Sequence, residues 1–148
     1  MDLRTKLDIE LKEALRTKNE VRKQTIRMIL SSIKNSEIDK QIKLDDIGII
    51  SILQKELKIR QEAIEETKKA HREDLLQANL EEISVIKSFL PDSLSEEDLL
   101  VIIQDVIKEN NLSSPSDMGK AIKLIMQRVA GRATGDQVSK QVKNILVK

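Results

Sequence analysis

Apolar residues return every three or four positions along nearly the whole chain, and only two prolines, at 91 and 115, interrupt them. That spacing places apolar side chains on one face of a 3.6-residue helix, and it cannot be read as the alternation of a half-buried strand. Four glycines and no cysteine in 148 residues leave little for turn-rich sheet architecture and nothing for disulfides, thiolate zinc or a cysteine nucleophile. The sequence therefore predicts an all-α protein. It divides into an N-terminal helical domain of about four helices, residues 1–92, and a small three-helix domain, residues 93–148.

The elements follow from the periodicity. A first helix runs from about Leu3 to Lys18. Asn19 caps a second, whose apolar face is Ile26, Ile29, Leu30 and Ile33. The period fails over Ser36–Lys43, which reads as a loop. Asp45 or Asp46 opens a long helix to about Lys69, with two apolar stripes. One holds Ile47, Ile50, Leu53, Leu57 and Ile64, and the other Ile49, Ile52, Ile59 and Ala63, which suits a helix lying between neighbours. A fourth helix, from about Arg72 to Leu90, stops before Pro91, because the residue before proline is pushed out of the helical region. Beyond it three starts are written out: Ser95 with Asp98, Ser114-Pro115-Ser116-Asp117, and Thr134 with Gln137. Each puts a hydroxyl three residues before a side chain able to reach back, which is the capping-box spacing.

The formal net charge is only +1, but it is not evenly spread. Residues 94–112 carry one base (Lys108) against five acids, whereas residues 113–148 carry seven bases against two acids, Lys148 among the bases. On the sixth helix Lys120 and Lys123 fall opposite the stripe Met118, Ile122, Ile125 and Val129. Arg128, Arg132 and Lys140 extend the basic set, and Gly119, Gly131 and Gly135 lie beside it. Glycines let a phosphodiester approach the main chain, and a helix N-terminus favours an anion. The alternative is a solvated basic face with ordinary capping glycines. The GxxxG spacing without a following Lys-Ser or Lys-Thr is not a phosphate-binding loop of the nucleotide-triphosphatase kind. One Phe, with no Tyr or Trp, gives no platform for stacking single-stranded bases, so RNA would be met through phosphates, 2′-hydroxyls and shape.

Catalytic chemistry is not legible. His71, in KKAHREDL, is the only histidine and has no evident orienting partner. Acids pair with bases four residues apart, as Glu56 with Arg60, which reads as helix support. No metal-ligand spacing, cofactor motif or catalytic set is found. The longest apolar stretch is far shorter than the ~18 residues of a membrane span. The amphipathic, charged N-terminal residues do not resemble a secretory signal, so a cytoplasmic location is expected.

Several stretches nevertheless resemble one family. DMGKAIKLIMQRVAGRATGDQVSKQVKNIL is similar to the tail module of the YqeY family, which is also found at the C-terminus of GatB, a subunit of the glutamine-dependent amidotransferase acting on misacylated tRNA. RKQTIRMILSSIKNSEID, QKELKIRQEAIEE, HREDL and EISVIKSFLPDSLSEEDL resemble the free-standing YqeY-type proteins. Met118-Gly119-Lys120 and Gly131-Arg132-Ala133 are the more specific pieces. Ala130 and Thr134 stand where the family more often has a basic and an acidic residue. The resemblance implies an all-helical, two-part protein whose tail contacts tRNA. It also implies an accessory role beside a tRNA-charging or amidotransferase component, and a label of carbon–nitrogen ligase with glutamine as amido donor. The amidotransferase's catalytic domains have no counterpart in these residues, so the isolated chain is not expected to catalyse that reaction. No DNA or membrane partner is expected. A helical protein–protein adaptor without RNA binding is the alternative.

Overall fold

The computed structural model describes residues 2–147; Lys148, counted above among the bases, lies outside the described residues. Among them the chain is all helical, with no strand. Seven α-helices follow one another: α1 Leu3–Arg16, α2 Glu20–Lys40, α3 Asp46–Lys69, α4 Glu73–Lys87, α5 Glu96–Glu109, α6 Met118–Val129 and α7 Gly135–Leu146. A 3₁₀ turn, Pro115–Asp117, leads into α6. No helix among the described residues is long and apolar enough to cross a membrane. Contacts gather into two compact units, Met1–Leu90 and Pro91–Lys148.

The helix starts lie where local chemistry puts them. The side chains of Asp2, Asn19, Asp45 and Ser95 each accept a backbone N–H three residues on, satisfying a donor that the helix itself leaves unpaired. At α7 the box is reciprocal: the Gln137 N–H donates to Thr134 Oγ1 at 3.2 Å, and the Thr134 N–H donates to Gln137 Oε1 at 2.9 Å. Before α6, the Asp117 carboxylate accepts from the N–H groups of Ser113 and Ser114, which holds its pKa below the ordinary aspartate value.

The loop expected at 36–43 is confined to its last three residues, because α2 continues to Lys40 and closes on Gln41 in the left-handed conformation. The last turns of α2 are held by polar anchoring instead of apolar burial. The Glu37 carboxylate accepts from the Arg4 guanidinium at 2.7 Å and from the Leu44 N–H at 2.7 Å, while Ile38 stays 63% exposed. An apolar period cannot reveal a helix end held in that way. Helix α4 is also shorter than expected, beginning at Glu73 and ending at Lys87, with turns carrying the chain on to Pro91.

In the first unit the core is built from Leu7, Ile26, Ile29, Ile33, Ile49, Leu53, Val85, Ile86 and Phe89. The Phe89 ring has Lys6 Nζ 5.7 Å and the Arg22 guanidinium 5.3 Å from its centroid. Among the described residues the only buried charge is Arg60, which donates to Glu56 on its own helix and to Glu82 on α4, each at 2.8 Å. Glu56 also accepts from Ser32 of α2 at 3.2 Å, so this network joins three helices. In the second unit the core is separate, with Leu99, Ile103 and Val106 of α5 against Ala121, Ile125 and Val129 of α6 and Val138, Val142 and Leu146 of α7.

Candidate nucleic-acid interface

The candidate residues lie on α6, on α7 and in the loop between them. Core packing fixes which faces remain outside. Because Ala121, Ile125 and Val129 point inward, Lys120 and Lys123 are left exposed on the outer side of α6. Among the described residues neither forms an ion pair, although Lys120 is close enough to add to the lowering of the Asp117 pKa.

The other three cations are differently engaged. Arg128 is tied across to α5, with its Nη2 2.7 Å from Glu109 Oε2, and the carboxyl of Glu109 is held below its ordinary pKa by that hydrogen bond and charge. Arg132 is half-buried and folds back on the end of α6. Its Nε donates to the Val129 carbonyl at 3.0 Å and its Nη2 to the Arg128 carbonyl at 3.5 Å. A guanidinium there satisfies helix-end carbonyls and complements the negative end of the dipole. Lys140 is exposed on α7, at the edge of a groove of about 540 Å³ that it shares with Glu96, Glu97 and Leu100 of α5. The five cations therefore do not form one uniform patch. Lys120 and Lys123 are its unpaired part, Arg128 and Arg132 serve the fold, and Lys140 faces an acidic wall.

The loop is shaped by backbone conformation. Ala130 ends α6 at φ 50°, and Gly131 follows at φ 84°. Glycine adopts that region freely, whereas a Cβ there costs about 1–2 kcal/mol. The Arg132 carbonyl accepts the Leu94 N–H at 2.8 Å, which pins the residues before α5 to this loop. By contrast, a Cβ built on Gly119 or Gly135 meets nothing within 4 Å.

His71 is exposed at φ 54°, in the turn that closes α3. Its backbone N–H donates to the Lys68 carbonyl at 3.2 Å, so its place is that of a helix-terminating residue. Sequence reasoning missed Glu109 as the partner of Arg128 and Glu82 as the second partner of Arg60. Both lie on other helices, and spacing along the chain carries no signal for them.

The family model for Yqey-like proteins matches residues 4–146. The chain belongs to the YqeY family. Its curated relatives include proteins named "Altered inheritance of mitochondria protein 41, mitochondrial". The one from Lachancea thermotolerans is 36% identical over 119 residues, covering 78% of this chain and 64% of the relative. That from Candida glabrata is 32% identical, covering 90% of this chain and 72% of the relative. That from Pyrenophora tritici-repentis is 26% identical, covering 95% and 79%. In the first of these the match thus spans less than two thirds of the relative's length. These names overturn the cytoplasmic expectation. A charge-balanced helical surface meets similar solvent in either compartment, so composition held no information on the point.

Proposed function

We propose that this YqeY-family protein is a tRNA-associated binding module, an accessory to tRNA charging or amidation and not a catalyst by itself. The carrying observation is the pair Lys120 and Lys123, exposed and unpaired on the outer face of α6, within a stretch of seven bases and two acids. Lysines so placed meet phosphates as mobile point charges and read no sequence. The open main chain at Gly119 and Gly135 supports close approach of a phosphodiester at the starts of α6 and α7. The resemblance of this stretch to the amidotransferase tail supports tRNA as the nucleic acid.

The test is a tRNA-binding titration at several salt concentrations. Lys120→Glu with Lys123→Glu should weaken binding and flatten the log–log salt dependence by about 0.7–0.9 per lost contact. Arg128 and Arg132 are left intact, since their loss would disturb the fold. Lys12→Glu with Lys18→Glu, in the charge-balanced N-terminal part, is the matched control and should change little. Equal weakening by both pairs, or no binding by the wild type at low salt, would refute the reading.

A further inference from the structure

Two runs of more than twelve residues in this chain contain no acid, and each carries four bases. One is 118–135, which holds Lys120 and Lys123. The other is 21–36, most of α2, with Arg22, Lys23, Arg27 and Lys34. Bases on a solvated helix are ordinary where acids alternate with them, as they do along α1. Between Glu20 and Glu37 of α2 no acid alternates with them.

The fold sorts these four bases. Arg22 is joined to Glu10 at 2.9 Å and Lys23 to Glu20 at 2.8 Å. Arg27 and Lys34 are exposed, and among the described residues neither forms an ion pair. Because Ile26, Ile29 and Ile33 face the core, Gln24, Arg27, Ser31 and Lys34 share the outward face, at steps of three and four. Arg27 and Lys34 lie two turns apart, about 10 Å along the axis, so each can meet a phosphate of its own.

One step round the helix, a groove of about 540 Å³ runs between α2 and α3. Ser32, Asn35, Ser36 and Ser51 line it with hydroxyls and an amide. Lys40 and Lys55 are exposed along it and, among the described residues, form no ion pair. Of its two acids, Glu56 is neutralised by Arg60. Asp39 alone then stands against the four unpaired bases Arg27, Lys34, Lys40 and Lys55. Side chains that both donate and accept hydrogen bonds match 2′-hydroxyls, which a DNA backbone lacks.

We infer that the outer face of α2, with the groove beside it, is a second RNA-backbone contact, carried by the first unit. It rests on the reading of this protein as a tRNA-associated module and adds a separate surface to it. Arg27 and Lys34 hold phosphates, and the hydroxyls and amide of the groove take 2′-hydroxyls. The chain's one aromatic ring, Phe89, is buried, so this face reads backbone and not bases.

The experiment is a titration of the full chain with a tRNA transcript over a salt series, repeated with a DNA strand of the same sequence. Arg27→Glu with Lys34→Glu should weaken tRNA binding at least roughly tenfold at low salt and flatten the log–log slope by about 0.7–0.9 per lost contact. Asn35→Ala with Ser36→Ala should narrow the preference for RNA over DNA. Helical circular dichroism should stay unchanged in both, since none of the four residues belongs to the core. Each pair is also made in the Lys120→Glu, Lys123→Glu chain, which separates the two faces. Undiminished binding by the Arg27 and Lys34 variant, with the Lys120 and Lys123 change still effective, overturns this inference and leaves the earlier reading standing. Weakening by the α2 pair alone supports the inference and counts against the face on α6. A loss no greater than that from Lys12→Glu with Lys18→Glu, or a wild type that binds the DNA strand as tightly as the tRNA, overturns it.

Discussion

Arg60→Ala should cost the first unit about 3 kcal/mol or more, because it leaves two carboxylates facing one another without their shared counter-charge. The side chain of Arg60 is 9% exposed and that of Glu56 17%, so water replaces little of what is lost on that side. Glu82 is 36% exposed and partly hydrated, which places the expected loss at the lower end of the range for broken buried pairs. Arg60→Lys is the informative companion. It keeps the charge, but one ammonium cannot present the planar fork that reaches Glu56 and Glu82 at once, so it should recover only part of the stability. Urea unfolding at constant slope measures both. A loss under about 1 kcal/mol for Arg60→Ala would mean that the network behaves as an exposed ion pair does.

Phe89→Ala should be the costliest single truncation in the same core, at about 3–5 kcal/mol. The ring is 3% exposed and is the chain's only aromatic side chain, so no neighbouring ring can fill the space. It also offers its π-face to Lys6 of α1 and Arg22 of α2, each contact worth about 0.5–1 kcal/mol where water still reaches the cation. Arg22 is itself joined to Glu10 at 2.9 Å, so losing the ring loosens the seam between α1 and α2 as well as the end of α4. Phe89→Leu should recover more than half of the loss by restoring apolar volume without the π-face. If Leu and Ala prove equally damaging, the cation contacts outweigh the packing; thermal unfolding of the two variants side by side decides it.

What the sequence disclosed and what it hid follow from the range of each interaction. Asn19, Asp45, Ser95 and Thr134 mark helix starts because a cap is made with residues three positions away. The end of α2 was invisible because it depends on Arg4, 33 residues from Glu37. The excess of bases beyond residue 113 was legible as composition. Which of them stay unpaired was not, since Arg128 finds Glu109 19 positions away and Arg132 turns to the carbonyls of the turn before it. The two apolar stripes of α3 were visible, but not that Ile47 and Ile59 would remain about half exposed. A periodic pattern tells which side of a helix can be covered. Whether anything covers it is decided by neighbours whose placement the pattern does not contain.

Gly119 and Gly135 carry a practical consequence. Apart from the chain neighbours and the helix's own backbone, no described residue stands within 4 Å of where a methyl would go at either place, and neither backbone needs a left-handed angle. Alanine there restricts the unfolded chain and favours the helix, so the fold gains by up to about 1 kcal/mol. A visiting phosphate would instead meet a methyl where it had met bare backbone. At these two positions the thermometer and the binding curve answer different questions. A variant that melts higher yet holds its ligand less well reports on the visitor alone, a separation that few positions in so small a protein allow.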